Sequence, residues 1–143
     1  MPSKYFALDA STGLIKRALA QAAVTGTGYI GTQWDQGAAV ITDGICVIQL
    51  EAVNIAAGSI YTFRITGSNI ADRSDAQVLA TAQCGLASVI TIETVNSAAG
   101  DQITMRFRTE KNETAFRYID LHMTIAGGSA TITFGAYISK EVA

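Results

Sequence analysis

Apolar and polar residues alternate most regularly over residues 116–140. Ile119, Leu121, Met123 and Ile125 share one face of a first run, with Asp120, His122 and Thr124 on the other. After Gly127 and Gly128, Ile132, Phe134, Ala136 and Ile138 form one face of a second run, opposed by Thr131, Thr133 and Tyr137. A period of two over such lengths predicts half-buried β-strands. The Gly-Gly-Ser break reaches positive φ without steric cost and predicts a hairpin joining the two.

The same alternation predicts six earlier strands, at 27–33, 45–53, 60–66, 76–83, 88–95 and 103–108. Tyr61, Phe63 and Ile65 face one way in the third, and Ile103, Met105 and Phe107 in the sixth. Turn-rich pieces at 56–59, 98–101 and 110–113 separate them. The only proline is Pro2, so no ladder is interrupted. The expected fold is all-β: an eight-stranded antiparallel β-sandwich of jelly-roll type. An immunoglobulin-like sandwich fits the strand count as well, but Trp34 precedes both cysteines, so its Cys-Trp-Cys order is missing.

Residues 1–25 read differently from the sandwich domain expected over 26–143. Asp9 or Ser11 suits the cap of a short helix with Leu14, Ala18 and Ala22 on one side, although Gly13 weakens it. The alternative is an extended arm packed on a neighbouring subunit. Either way its apolar residues need a surface to cover.

Composition narrows the function. A chain of 143 residues holds one domain with a real core. It is 49% hydrophobic and only 15% charged, as for a β-rich core or a surface partly covered by partners. A net charge of −2 without a clustered basic face argues against nucleic acid. No apolar run approaches the ~18 residues needed to span a bilayer. The opening residues, MPSKYFALDA, lack the apolar centre of a secretion signal, so synthesis in a cytoplasm is expected. Cys46 and Cys84 sit in apolar, strand-like runs and read as free core thiols, with a disulfide as the alternative.

Little in the chain suggests catalysis. Gly26 to Gly31 spells GxGxxG, but a dinucleotide site needs a strand before it and a helix after it, and neither is expected. His122, the only histidine, shares its strand face with Asp120 and Thr124, an arrangement expected of a solvated or subunit-facing surface. Asp72 and Asp75 lie in a loop without the ligand spacing of a calcium site. Asn112-Glu113-Thr114 fits a glycosylation acceptor that has no use without secretion. With one histidine there is no zinc spacing, and no cofactor is expected. Arg64, Arg106, Arg108 and Arg117 fall on outward positions, either as one interface stripe or as scattered charges. Trp34 and Tyr137, read as exposed, suit sugar-stacking platforms or subunit anchors.

The run Arg117-Tyr118-Ile119-Asp120-Leu121-His122, then Thr124 to Gly128, then Ile132 to Ile138 resembles the C-terminal hairpin of the capsid cement (decoration) proteins of tailed bacteriophages. The strand spacing from Val47 to Ile138 is similar too. The resemblance implies a jelly roll that assembles as a homodimer or homotrimer on the outer surface of the phage head. There it bridges copies of the major capsid protein and resists internal pressure. It implies no catalysis, no nucleic acid and no membrane, and synthesis in the bacterial host. Tyr5, Phe6, Leu14 and Ile15 are then the expected capsid or subunit contacts, flanked by Lys16 and Arg17, with Trp34 as a further anchor. The competing reading is a jelly-roll carbohydrate- or receptor-binding module of a phage particle that uses Trp34 and loop tyrosines.

Overall fold

A computed structural model describes residues 5–8, 14–90 and 95–142, the side chains of 5–8 and 142 excepted. The strands are β1 (Tyr5–Leu8), β2 (Ile15–Arg17), β3 (Gly28–Asp35), β4 (Asp43–Val53), β5 (Ile60–Ser68), β6 (Gln77–Gly85), β7 (Gln102–Arg108), β8 (Glu110–Lys111), β9 (Thr114–Ala115), β10 (Tyr118–Ala126) and β11 (Ile132–Val142). Among the described residues the only helical turn is the 3-10 turn Ala56–Gly58. All pairings are antiparallel, so the all-β, antiparallel expectation holds, while the expected eight strands become eleven among the described residues, because short strands at 5–8, 15–17, 110–111 and 114–115 join the ladders.

One sheet runs β1-β11-β4-β7, with β2 also on β11; the other runs β3-β10-β5-β6. Their inner faces meet in one core. Tyr61, Phe63, Ile65, Ile119, Leu121 and Met123 enter from the four-stranded sheet and Cys46, Ile48, Leu50, Phe134 and Ile138 from the five-stranded one. Phe63 and Phe134 meet edge to face across it, centroids 5.2 Å apart.

The expected hairpin is not formed. β10 and β11 belong to different sheets, and the Gly-Gly-Ser segment crosses between them as an arch. Alternation says which residues of a strand face the core; it does not say from which side of the core they come. The arch locks onto the β4–β5 connection. Asn54 N–H donates to Thr131 O at 2.9 Å, and the Tyr61 hydroxyl lies 2.6 Å from Asn54 O and 2.8 Å from Thr131 O. Gly127 has φ +105, and a Cβ there would come within 2.8 Å of Ser59 Cα. Gly127→Ala is therefore expected to cost about 1–3 kcal/mol through backbone strain alone, read by urea unfolding.

Among the described residues the amino-terminal helix is not formed either, and its cap candidates Asp9 and Ser11 lie outside them. Ile15–Arg17 is a strand on β11, and the segment after it turns through Ala20 at φ 60. Leu14 is fully buried, Ile15 is exposed and Lys16 is buried. That is strand alternation with an inward lysine, which disguises the pattern. Tyr5–Leu8 pairs with the end of β11. The strands described within residues 1–25 thus belong to the chain's own sheet.

Two smaller expectations also change. The predicted strand at 88–95 begins as a turn, with the Val89 and Ile90 N–H groups both donating to Leu86 O, and residues 91–94 lie outside the described set. The segment 110–113 is more than a turn: β8 and β9 form a small ribbon closed by Asn112 and Glu113 at φ 49 and 66.

Candidate functional site

The outer face of the five-stranded sheet carries an apolar groove of about 240 Å³ beside β2, with Ile15, Ala18, Leu19, Gly135, Ala136 and Tyr137 in its walls. Ile15 is 44% exposed and Leu19 52%. Gly135 makes room for Leu19, because a Cβ at 135 would lie 2.6 Å from Leu19 Cδ2. The groove's rim is held by polar contacts. The Arg17 guanidinium donates to Phe134 O and Ala22 O. The Glu51 carboxylate accepts from Ala20 N–H at 3.0 and 3.1 Å. Val24 pairs with Ile132, closing the loop back onto β11. The apolar groups are thus presented by an anchored segment, which lowers the entropy lost when a partner covers them.

Lys16 lies beneath this face, in the interior. Its ammonium donates to Thr32 O at 2.8 Å and Ile119 O at 3.2 Å, tying β2 to the opposite sheet. Both acceptors lie where the register of β3 on β10 shifts, Ile119 pairing Trp34 and Leu121 pairing Ile30. A bulge leaves ladder groups without strand partners, and the lysine satisfies two of them. Burial lowers the Lys16 pKa to about 8, with Asp120 opposing that shift. Burial also pushes the nearby Cys46 thiol up to about 12, which leaves it unreactive. Gly31, at φ +71, gives β2 its closest approach, since a Cβ there would strike Lys16 O. The last glycine of the GxGxxG string therefore serves packing, and β3 follows where a helix would be needed.

The outer face of the four-stranded sheet is polar. Asp120 is buried there under Arg73, whose Nε and a terminal nitrogen donate to the carboxylate at 2.9 and 3.1 Å, and Gln33 adds a third bond at 2.9 Å. Arg73 also stacks 4.2 Å above the Tyr29 ring, and Tyr29 meets His122 edge-on at 4.8 Å. Burial and then the Arg64 charge lower the His122 pKa, so the imidazole is neutral near pH 7. Asp120 is committed to Arg73 and Gln33. Asp72 and Asp75 are used within their own turn, accepting from the N–H groups of Ser74, Asn69 and Ile70. At one end of the sandwich Arg117 and Asp35 form a two-bond ion pair at 2.7 and 2.9 Å, which holds the Asp35 carboxyl down at about 2.

The expected contact residues separate into groups. Ile15 and Arg17 meet at the groove. Leu14 and Lys16 are spent inside the chain's own fold, and Trp34, read as exposed, is only 6% exposed. Trp34 pairs with Ile119 on β10, so the bulk that suggested a platform fills the core. Tyr5 and Phe6 are placed by backbone alone, on β1. Sequence reasoning missed Leu19 as a groove residue; the available signal was Gly135, a residue without a side chain at an otherwise regular strand position. The arginine stripe is not formed: Arg64 lies on β5, Arg106 and Arg108 on β7, and Arg117 beside Asp35. Cys46 and Cys84 are buried thiols on strands of different sheets. Among the described residues no three His, Cys, Asp or Glu side chains are placed to hold a metal. No family model matches this chain, and no curated protein or solved structure does either.

Proposed function

We propose that this protein is a structural virion component, a capsid decoration or cement protein that binds the outer surface of a tailed-phage head. It stabilises the shell of major capsid protein by docking, without chemistry of its own. The observation that carries the reading is the apolar groove of Ile15, Leu19 and Tyr137, presented on a strand-anchored segment. An anchored apolar patch with a charged rim is the usual anatomy of a protein contact. The jelly-roll assignment is supported by strand order. Going along the chain from β2, successive sandwich strands change sheet except between β5 and β6, so that β2-β11-β4-β7 faces β3-β10-β5-β6. Self-association as a homodimer or homotrimer belongs to the same reading.

Deletion of the first twenty or so residues is not a clean test, because it removes the buried Leu14 and Lys16. Ile15→Asp with Leu19→Asp is cleaner. Both side chains are about half exposed, so a loss of about 1–2 kcal/mol in stability is expected, measured alongside by urea unfolding to show that the fold is kept. Binding to assembled heads should fall by about a hundredfold, since two contact side chains of hot-spot size cost about 1–2 kcal/mol each. Unchanged sedimentation of the double variant with heads would remove the groove from the account. Burial of Trp34 takes away one of the platforms of the carbohydrate- or receptor-binding alternative, which then rests on tyrosines alone.

A further inference from the structure

The polar outer face of the four-stranded sheet holds a cation that has no carboxylate partner among the described residues. Arg117 pairs with Asp35, Arg108 with Asp43 and Arg73 with Asp120, while Arg17 is spent on two backbone carbonyls. Arg64 differs. Among the described residues its one hydrogen bond is to the Thr124 hydroxyl, at 3.0 Å, and none of their carboxylates forms an ion pair with it. It stands near the middle of the sheet, in a cross-strand row of Tyr29, His122, Arg64 and Thr81. The neighbouring row is Thr124, Thr62 and Gln83, with Gln83 donating to Thr62 at 3.1 Å. A guanidinium beside an imidazole, without a counter-ion, is a local positive potential looking for an oxyanion.

The surroundings select the kind of oxyanion carrier. A protein partner needs an apolar centre to its contact. These rows contain hydroxyls, amides and aromatic edges, and no aliphatic side chain. Short polar groups spread along two cross-strand rows suit a ligand rich in hydroxyls. We propose that this face binds an acidic saccharide, its carboxylate or phosphate seated on Arg64 and its hydroxyls on Thr81, Gln83 and Thr124. The site lies on the sheet opposite the groove, so it is independent of shell docking and stands or falls separately.

The test is a titration of the isotope-labelled protein, followed by amide chemical shifts, with four probes: tetragalacturonate, glucose 6-phosphate, neutral maltotetraose and inorganic phosphate alone. Saturable shifts confined to β5, β6 and β10 with one or both acidic sugars, and none with maltotetraose, are expected. The two acidic probes separate a carboxylate-bearing ligand from a phosphorylated one. Arg64→Gln should weaken binding by about tenfold to a hundredfold, the worth of a charge-assisted pair, while its unshifted spectrum elsewhere shows that the fold is kept. Thr81→Ala, at an exposed position, should weaken it less. Equal shifts with maltotetraose, shifts with inorganic phosphate alone (an adventitious ion only), no shifts with any probe, or an Arg64→Gln variant that binds undiminished would each overturn the proposal.

Discussion

Asp120→Asn is expected to destabilise the fold by about 3 kcal/mol, the low end of the loss when one partner of a buried ion pair is removed. The carboxylate side chain is 2% exposed and receives two bonds from Arg73 and one from Gln33. It also supports the Lys16 ammonium, raising its pKa against the cost of burial. An amide in its place presents one acceptor oxygen and turns an N–H₂ toward cations. The low end applies because the Arg73 side chain keeps 28% of its exposure and can turn to water. Equilibrium urea unfolding gives the number. Adding Arg73→Gln to Asp120→Asn should recover part of the loss, because the second change removes the stranded charge; simple additivity would show that the pair is not coupled.

The pH dependence of stability should carry the mark of the buried Lys16–Cys46 neighbourhood. Lys16 is held at about 8 in the folded chain against 10.5 ordinarily. Between those values the unfolded chain keeps a proton that the folded chain has released. Stability therefore rises with pH across that window, by about 3 kcal/mol in all for this group. Cys46 has the opposite sign. Its thiol is raised to about 12 from 9.0, so above pH 9.0 the unfolded chain loses a proton that the folded chain retains, and stability falls. The sum is a climb of about 1 kcal/mol from pH 8 to 9, a plateau, and a decline once Lys16 is discharged in both states. The Tyr61 hydroxyl, raised by burial, steepens that decline. Lys16→Met should abolish the climb and leave the decline; Cys46→Ala should extend the climb toward pH 10.5. Denaturant midpoints measured from pH 7 to 11 separate these outcomes, and a flat profile in the native protein would show that the ammonium is not desolvated.

Much of the fold was legible because period-two alternation is a local property. The inward faces of β5, β7, β10 and β11 were all read correctly, and most strand ends fell within two residues. What could not be read is what depends on distant partners. The alternation of β10 and β11 is equally consistent with pairing and with facing each other across a core, and only the Ser59 backbone beside Gly127 makes the crossing visible. Lys16 hid a strand because a lysine at an inward position looks like a break; its acceptors are sixteen and 103 residues away. Asp120 was assigned to an outward face, and correctly, but it is buried because Arg73 folds over it from a loop 47 residues off. Of the expected contact residues Leu14 to Arg17, only Ile15 and Arg17 line the groove, because strand alternation turns Leu14 and Lys16 inward. Leu19 was passed over because its value as a contact depends on the missing side chain of Gly135.

The central claim, attachment to a shell through an anchored apolar groove, is tested most directly by cosedimentation of the purified protein with assembled and with unassembled major capsid protein. Saturable binding to the assembled form alone, lost in the Ile15→Asp, Leu19→Asp variant, is the predicted result. Binding to neither form, or equal binding of native and variant protein, would contradict it.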